Sequence, residues 1–207
     1  VKLSAEYLWW SYNGKNNKQG CKNVNDGATL SDVADAIRSN GVPNDAYWTY
    51  MPLIDPPSFC PIGPSLPAKA AAKDLRAKSV ISLSTGSTTT GASLNNPLFL
   101  EAILAAGYDV VMGIGVAWTA DQNSSLVAYK GVLDVVKESS GAAASSSGSH
   151  AMLLVGYTRT TGNDDGGGFF IFKNSWGALI GEGGYIKVSY DYVREYANSA
   201  FFITALK

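Results

Sequence analysis

The chain has 207 residues, of which 46% are hydrophobic, 11% aromatic and only 16% charged; that apolar content fills one domain or two small lobes and excludes disorder over most of the length. A formal net charge of −1 leaves no basic footprint for nucleic acid and no polybasic patch for a membrane surface. No apolar run reaches the roughly 18 residues that a membrane-spanning helix needs.

The N-terminus, Val1-Lys2-Leu3-Ser4, has neither an initiator methionine nor signal-peptide features, so a processed or excised product is expected. Residues 3–10 read as a short helix with Ser4 as N-cap and Tyr7, Leu8 and Trp10 as its apolar surface, followed by a polar Asn/Lys/Gly loop through Gly27. A second helix is marked by Thr29 and Asp32, which resemble a capping box with Asp in the place of Glu. Leu30, Val33, Ala34 and Ile37 recur on one face, and Asn40-Gly41 ends it. Seven prolines, at 43, 52, 56, 57, 61, 64 and 67, then punctuate a stretch read as irregular.

Residues 80–83 read as a short strand, 84–92 as a surface loop, and 97–106 as a helix stopped by Gly107. Beyond that point the runs at 110–117, 151–158, 169–173, 184–189 and 200–206 are β-branched and aromatic, separated by Gly-rich turns. Helices first and strands afterwards predict an α+β fold rather than βαβ alternation. Residues 139–149 are almost entirely Gly, Ala and Ser and read as a flexible exposed loop.

His150 is the one histidine of the chain, placed where that loop meets an apolar strand. Such a junction gives a proton-transfer group rigid backbone on one side and open space on the other, although lone histidines are commonly structural. Downstream, Asn174 lies between an apolar strand and Ser175-Trp176-Gly177. It serves either as a turn residue or as the group that orients an imidazole, with the indole shielding the bond. The two cysteines, Cys21 and Cys60, form one disulfide or remain two thiols; low charge and abundant Ser, Gly, Asn and Tyr suit a secreted protein or another oxidising compartment.

Three blocks together, Gly148-Ser149-His150-Ala151 through Gly156-Tyr157, then Lys173-Asn174-Ser175-Trp176-Gly177, then Gly181-Glu182-x-Gly184-Tyr185-Ile186, resemble the papain/cathepsin family of cysteine peptidases. The resemblance is strong over the C-terminal third and looser upstream, where Leu3-Ser4-Ala5-Glu6-Tyr7-Leu8 is similar to the segment that follows the family's catalytic helix. Gly41-Val42 through Tyr50 is similar to the stretch that closes the family's first lobe. It implies a two-lobe fold lacking the catalytic-cysteine segment, with a helical lobe over about 1–75 and an antiparallel, β-barrel-like lobe over about 76–207.

It further implies His150 and Asn174 as catalytic residues, Trp176 as their cover, and Gly27, Ala28 and Ser149 as substrate-binding positions; Gly27 could equally serve only the turn before a helix. Ile180 stands where the family often has a second tryptophan. The family's Cys-Gly-x-Cys-Trp nucleophile run is absent. Cys21 precedes His150 by about the spacing expected of a nucleophile, roughly 130–150 residues. It lacks the following Trp, however, and Gln19 is too close to it.

The family's disulfide pattern implies instead a Cys21–Cys60 bridge. The function so implied is peptide-bond hydrolysis with a cysteine supplied from upstream, on a companion chain or lost segment; the alternative is a catalytically inactive binding module of the same fold. No metal cluster or nucleotide motif is seen, so no cofactor is expected. The expected partners are a peptide or protein substrate and that companion chain, with neither nucleic acid nor membrane.

Overall fold

A computed structural model describes residues 2–16, 28–50, 63–86, 92–117, 131–135, 143, 145–159 and 167–206. Gly27, Cys21 and Cys60, with the implied disulfide, lie outside them.

Ser4 caps the first helix as expected: its Oγ accepts the Tyr7 N–H at 3.0 Å and donates to the Trp48 carbonyl at 2.5 Å. That helix, α1, spans Ala5–Asn16 rather than stopping at residue 10. Tyr7 and Ser11, four positions apart, both turn inward, and a started helix propagates through polar residues at little cost. The N-terminal segment is pinned to residues 43–48: Leu3 bridges to Asn44, and Lys2 pairs with Asp45 at 2.8 Å.

Helix α2, Leu30–Asn40, starts at Thr29, whose Oγ1 accepts the Asp32 N–H at 3.2 Å. The capping box is not reciprocal, because the Thr29 hydroxyl donates to the Asp32 carboxylate. Its buried residues are Ala34 and Ala36, while Leu30, Val33 and Ile37 are half-buried. Small side chains let a neighbouring helix approach closely.

Helix α3 (Leu66–Lys73) corrects the reading of Pro67 as a breaker. Proline in a first turn removes only an N–H that has no helical partner; Ser65 Oγ accepts the Ala68 N–H at 3.3 Å, and an Ala/Lys run continues the helix. A 3₁₀ turn, Asp45–Tyr47, also falls within the stretch read as irregular.

Gly41 is where this packing is tightest. Its φ is +73°, and a Cβ there would lie 1.8 Å from the Ala72 carbonyl oxygen. Gly41→Ala therefore combines left-handed backbone strain with a collision against backbone. It is expected to destabilise the protein by about 3 kcal/mol or more; an unchanged urea midpoint would refute this.

The remaining elements are β1 (Ala77–Leu83), α4 (Pro97–Ala105), β2 (Val110–Gly115), β3 (Val132–Leu133), β4 (Ser149–Arg159), β5 (Gly168–Lys173), β6 (Tyr185–Ser189), α5 (Tyr190–Tyr196) and β7 (Ala197–Leu206). The strands form one sheet in the order β1-β7-β2-β4-β5-β6-β3. The β7–β2, β2–β4, β4–β5 and β5–β6 pairs are antiparallel, whereas β3 runs parallel to β6. Among the described residues the sheet is open, not closed into a barrel, since β3 is a two-residue edge. Helix α5 was not expected. Its signal was Ser189, whose Oγ accepts the Tyr192 N–H at 3.1 Å, with Asp191 in the first turn.

The chain divides into two compact units, Val1–Val80 with Ile203–Lys207, and Ile81–Phe202. The first is centred on Tyr7, Ala68 and Ala72, with Trp10 and Trp48 in ring contact with Tyr7. The second buries alternate residues of its strands (Met112 and Ile114, Met152 and Leu154, Phe170 and Phe172, Ile186 and Val188) against Leu100 and Ile103 of α4 and Tyr190, Tyr192 and Val193 of α5. Part of the Gly/Ala/Ser stretch joins this sheet: Ser149 opens β4, and the Gly148 carbonyl accepts the Val116 N–H at 2.8 Å.

Candidate active site

His150 is the second residue of β4, paired across the sheet with Ile114. Asn174 directly follows β5, the strand beside β4. This adjacency brings two residues 24 positions apart into contact: His150 Nε2 lies 2.8 Å from Asn174 Oδ1.

The Ser175 N–H also meets that atom, at 2.8 Å. A backbone N–H only donates, so the atom it meets is the amide oxygen, which only accepts. Nε2 therefore carries the proton, and Nδ1 is the nitrogen that can take or give one. Asn174 is buried, and its Nδ2 has no hydrogen-bond partner among the described residues. Trp176 stacks on the imidazole with ring centroids 4.5 Å apart and an interplanar angle of 27°. The indole covers the ring and keeps its outer surface open, with 46% exposure.

The glycines of the third sequence block hold this arrangement. Glu182 and Tyr185 exchange backbone bonds of 2.9 and 3.2 Å, and Gly183 and Gly184 between them have φ of +64° and +92°, as a two-residue hairpin turn with both centres left-handed requires. The Gly184 carbonyl then accepts the Asn174 N–H at 2.9 Å, fixing the backbone that presents the carboxamide. At Gly181 a Cβ would lie 2.1 Å from the Tyr185 carbonyl oxygen. Ile180 is half-buried and packs against the core.

Ser149 precedes His150 on β4, exposed, with its Oγ donating to the Ile114 carbonyl at 3.3 Å and accepting from Asn198 Nδ2 at 2.9 Å. Asn198 went unnoticed in the sequence; it lies where the β2–β7 register shifts, which no local pattern announces. Ala28 is exposed just before the Thr29 cap, in the first unit, whereas His150, Asn174, Trp176 and Ser149 all belong to the second. Among the described residues no group of three His, Cys, Asp or Glu side chains could hold a metal ion, and no helix is long and apolar enough to cross a membrane.

The family model for papain family cysteine proteases matches residues 72–202. Comparison with curated protein sequences gives no match. Among solved structures the chain is similar to xylellain, a cysteine protease from Xylella fastidiosa, with 22% identity and a TM-score of 0.72 over 99% of this chain and 70% of that one. It is also similar to the cysteine protease CMS1MS2 of Carica candamarcensis, with 19% identity and a TM-score of 0.61 over 100% and 79%. A third is digestive procathepsin L 3 from the larval midgut of Tenebrio molitor, with 18% identity and a TM-score of 0.61 over 99% and 56%. At these identities the structures establish the fold, and the matched family model, covering more than half of the sequence, establishes the rest: the chain belongs to the papain family of cysteine proteases.

Proposed function

We propose that this chain carries the histidine and asparagine of a cysteine-type endopeptidase. The observation that supports the reading is the 2.8 Å contact of His150 Nε2 with Asn174 Oδ1, which makes Nδ1 the nitrogen available to a sulfur. In this reading a cysteine thiolate attacks the scissile carbonyl and the imidazolium of His150 protonates the departing amine. The acyl-thioenzyme is then hydrolysed by water, with His150 accepting its proton. Asn174 holds the ring and its tautomer, and Trp176 keeps water from their bond. Gly27, Ala28 and Ser149 are the proposed substrate contacts.

Neither Cys21 nor Cys60 stands in a Cys-Gly-x-Cys-Trp run, so the proposal takes the thiolate from an upstream segment or companion chain. Cys21 and Cys60 are proposed to bridge, closing a loop of about forty residues with about 3–4 kcal/mol of stabilisation, in a secreted protein or another oxidising compartment. One observation favours a second reading, an inactive peptide-binding module: Ile180 stands where the family often has tryptophan.

Solved relatives include the bromelain protease of Ananas comosus and the Carica candamarcensis enzyme, both in complex with the E-64 inhibitor, which supplies the probe. The native protein is treated with E-64 and its intact mass measured. The proposal expects a single adduct on a co-isolated segment that carries a cysteine. An adduct on Cys21 moves the nucleophile into this chain, and peptide binding with neither adduct nor cleavage supports the inactive module.

A further inference from the structure

The end of β2 is held by a side chain that plays no part in the proposed chemistry. Tyr192, on α5, is wholly buried. Its hydroxyl donates to the Gly115 carbonyl at 2.8 Å and accepts the Ala117 N–H at 3.0 Å, so the two bonds bracket Val116. Val116 is in turn the backbone residue on which the entrance of β4 is laid. Its carbonyl accepts the Ser147 N–H at 2.9 Å and its N–H donates to the Gly148 carbonyl at 2.8 Å. One step further, Gly115 pairs with Ser149 and Ile114 with His150.

The segment is also confined from the side. A Cβ on Gly115 would lie 2.8 Å from Ser146 Oγ and 3.4 Å from Tyr196 Cβ, and the ring of Tyr196 sits 4.5 Å from that of Tyr192. Burial, opposed by the Ala117 N–H and helped by nearby Tyr196, pushes the Tyr192 phenol up to about 12. It therefore stays protonated, and a donor, across the range in which an imidazole titrates.

We infer that Tyr192 is a positioning residue for His150: through Gly115–Ala117 it fixes the strand entrance from which the imidazole reaches Asn174. The inference rests on the reading of His150 as the proton-transfer group, yet its test does not need activity. His150 is this chain's one histidine, so with this chain alone isotope-labelled its ring proton is identified in an NMR spectrum by the imidazole nitrogen that bears it.

In the wild-type chain the Nε2 proton is expected to exchange slowly, held by Asn174. Tyr192→Phe keeps the ring and removes both bonds, and is expected to speed that exchange about tenfold. Tyr190→Phe removes another buried hydroxyl from the same helix, one that serves Glu101 instead. It is expected to lower stability and leave the exchange at the wild-type rate. Unchanged exchange in Tyr192→Phe, or an equal acceleration in Tyr190→Phe, overturns the inference.

Should Tyr192→Phe fail to fold, Ser147→Pro at an exposed position removes the N–H that Val116 accepts. It is expected to give the same acceleration, and wild-type exchange there overturns the inference as well. A wild-type chain without a protected imidazole proton would remove the His150–Asn174 bond on which both readings stand. If E-64 labels nothing while Tyr192→Phe still loosens the proton, the catalytic reading falls and the positioning link survives.

Discussion

On the proposed cysteine-peptidase reading, with the nucleophile supplied, His150→Ala is expected to lower kcat/KM for a peptide substrate by about 10⁴-fold or more. Without the imidazole the sulfur loses the partner that keeps it ionised, and the leaving amine has no proton donor. Asn174→Ala keeps the base, but Nε2–H loses its 2.8 Å acceptor and the ring loses its preferred tautomer and orientation; a loss of about 10²-fold is expected. Both losses fall on kcat, with KM little changed, because neither group contributes to ground-state binding in this mechanism. The two residues act as one unit, so the double variant is expected to be no worse than His150→Ala alone. Steady-state kinetics decides the matter: a His150→Ala enzyme within tenfold of wild type would end the assignment of the base.

Much of this site is written in short stretches of sequence, because its parts are local. A histidine at a strand entrance and an asparagine before a Ser-Trp-Gly turn can each be read within a few residues, whereas the left-handed hairpin at Gly183-Gly184 was not expected. The strands were legible for a similar reason. They are runs of aromatic and β-branched residues between Gly-rich turns, within which Phe170/Phe172 and Ile186/Val188 are buried; of the described strands only the two-residue β3 was not expected.

What escaped was of two kinds. Helices α3 and α5 were hidden by side chains that carry two meanings: Pro67 breaks a helix interior but starts a first turn, and the tyrosines of residues 190–196 look like strand until Ser189 is recognised as a cap. The supports of the site, Asn198 on Ser149 and Tyr192 on Gly115 and Ala117, depend on strand register and on contacts 49 to 77 residues apart, for which one sequence holds no signal.

The largest stability effect is expected at a cluster of the same long-range kind, whose members are 58 and 89 residues apart. Glu101 on α4 is only 4% exposed. Arg159 Nε meets both of its oxygens at 3.1 Å, and the Arg159 Nη2 and Tyr190 hydroxyl donate to it as well. Glu101→Ala leaves a cavity and strands the hydroxyl of Tyr190, a residue only 1% exposed, without an acceptor; about 3–5 kcal/mol of stability is expected to be lost.

The same carboxylate sets a pH dependence whose sign is fixed. Burial pushes the Glu101 carboxyl up, but the bonds from Arg159 and Tyr190 and the guanidinium charge together outweigh burial and hold it below its ordinary value. The Tyr190 phenol is pushed far above its own ordinary value, by burial first and then by Glu101, so it remains a donor. A carboxyl with a lower pKa in the folded than in the unfolded state stabilises fully above the unfolded value, about 4.3, and loses that contribution as pH falls through the folded one. Urea midpoints of the wild type should therefore fall on acidification from about pH 5 toward pH 2, and Glu101→Gln, which cannot ionise, should show a shallower decline over the same window. Equal slopes for the two proteins would mean that the charge on Glu101 contributes nothing to holding α4, β4 and α5 together.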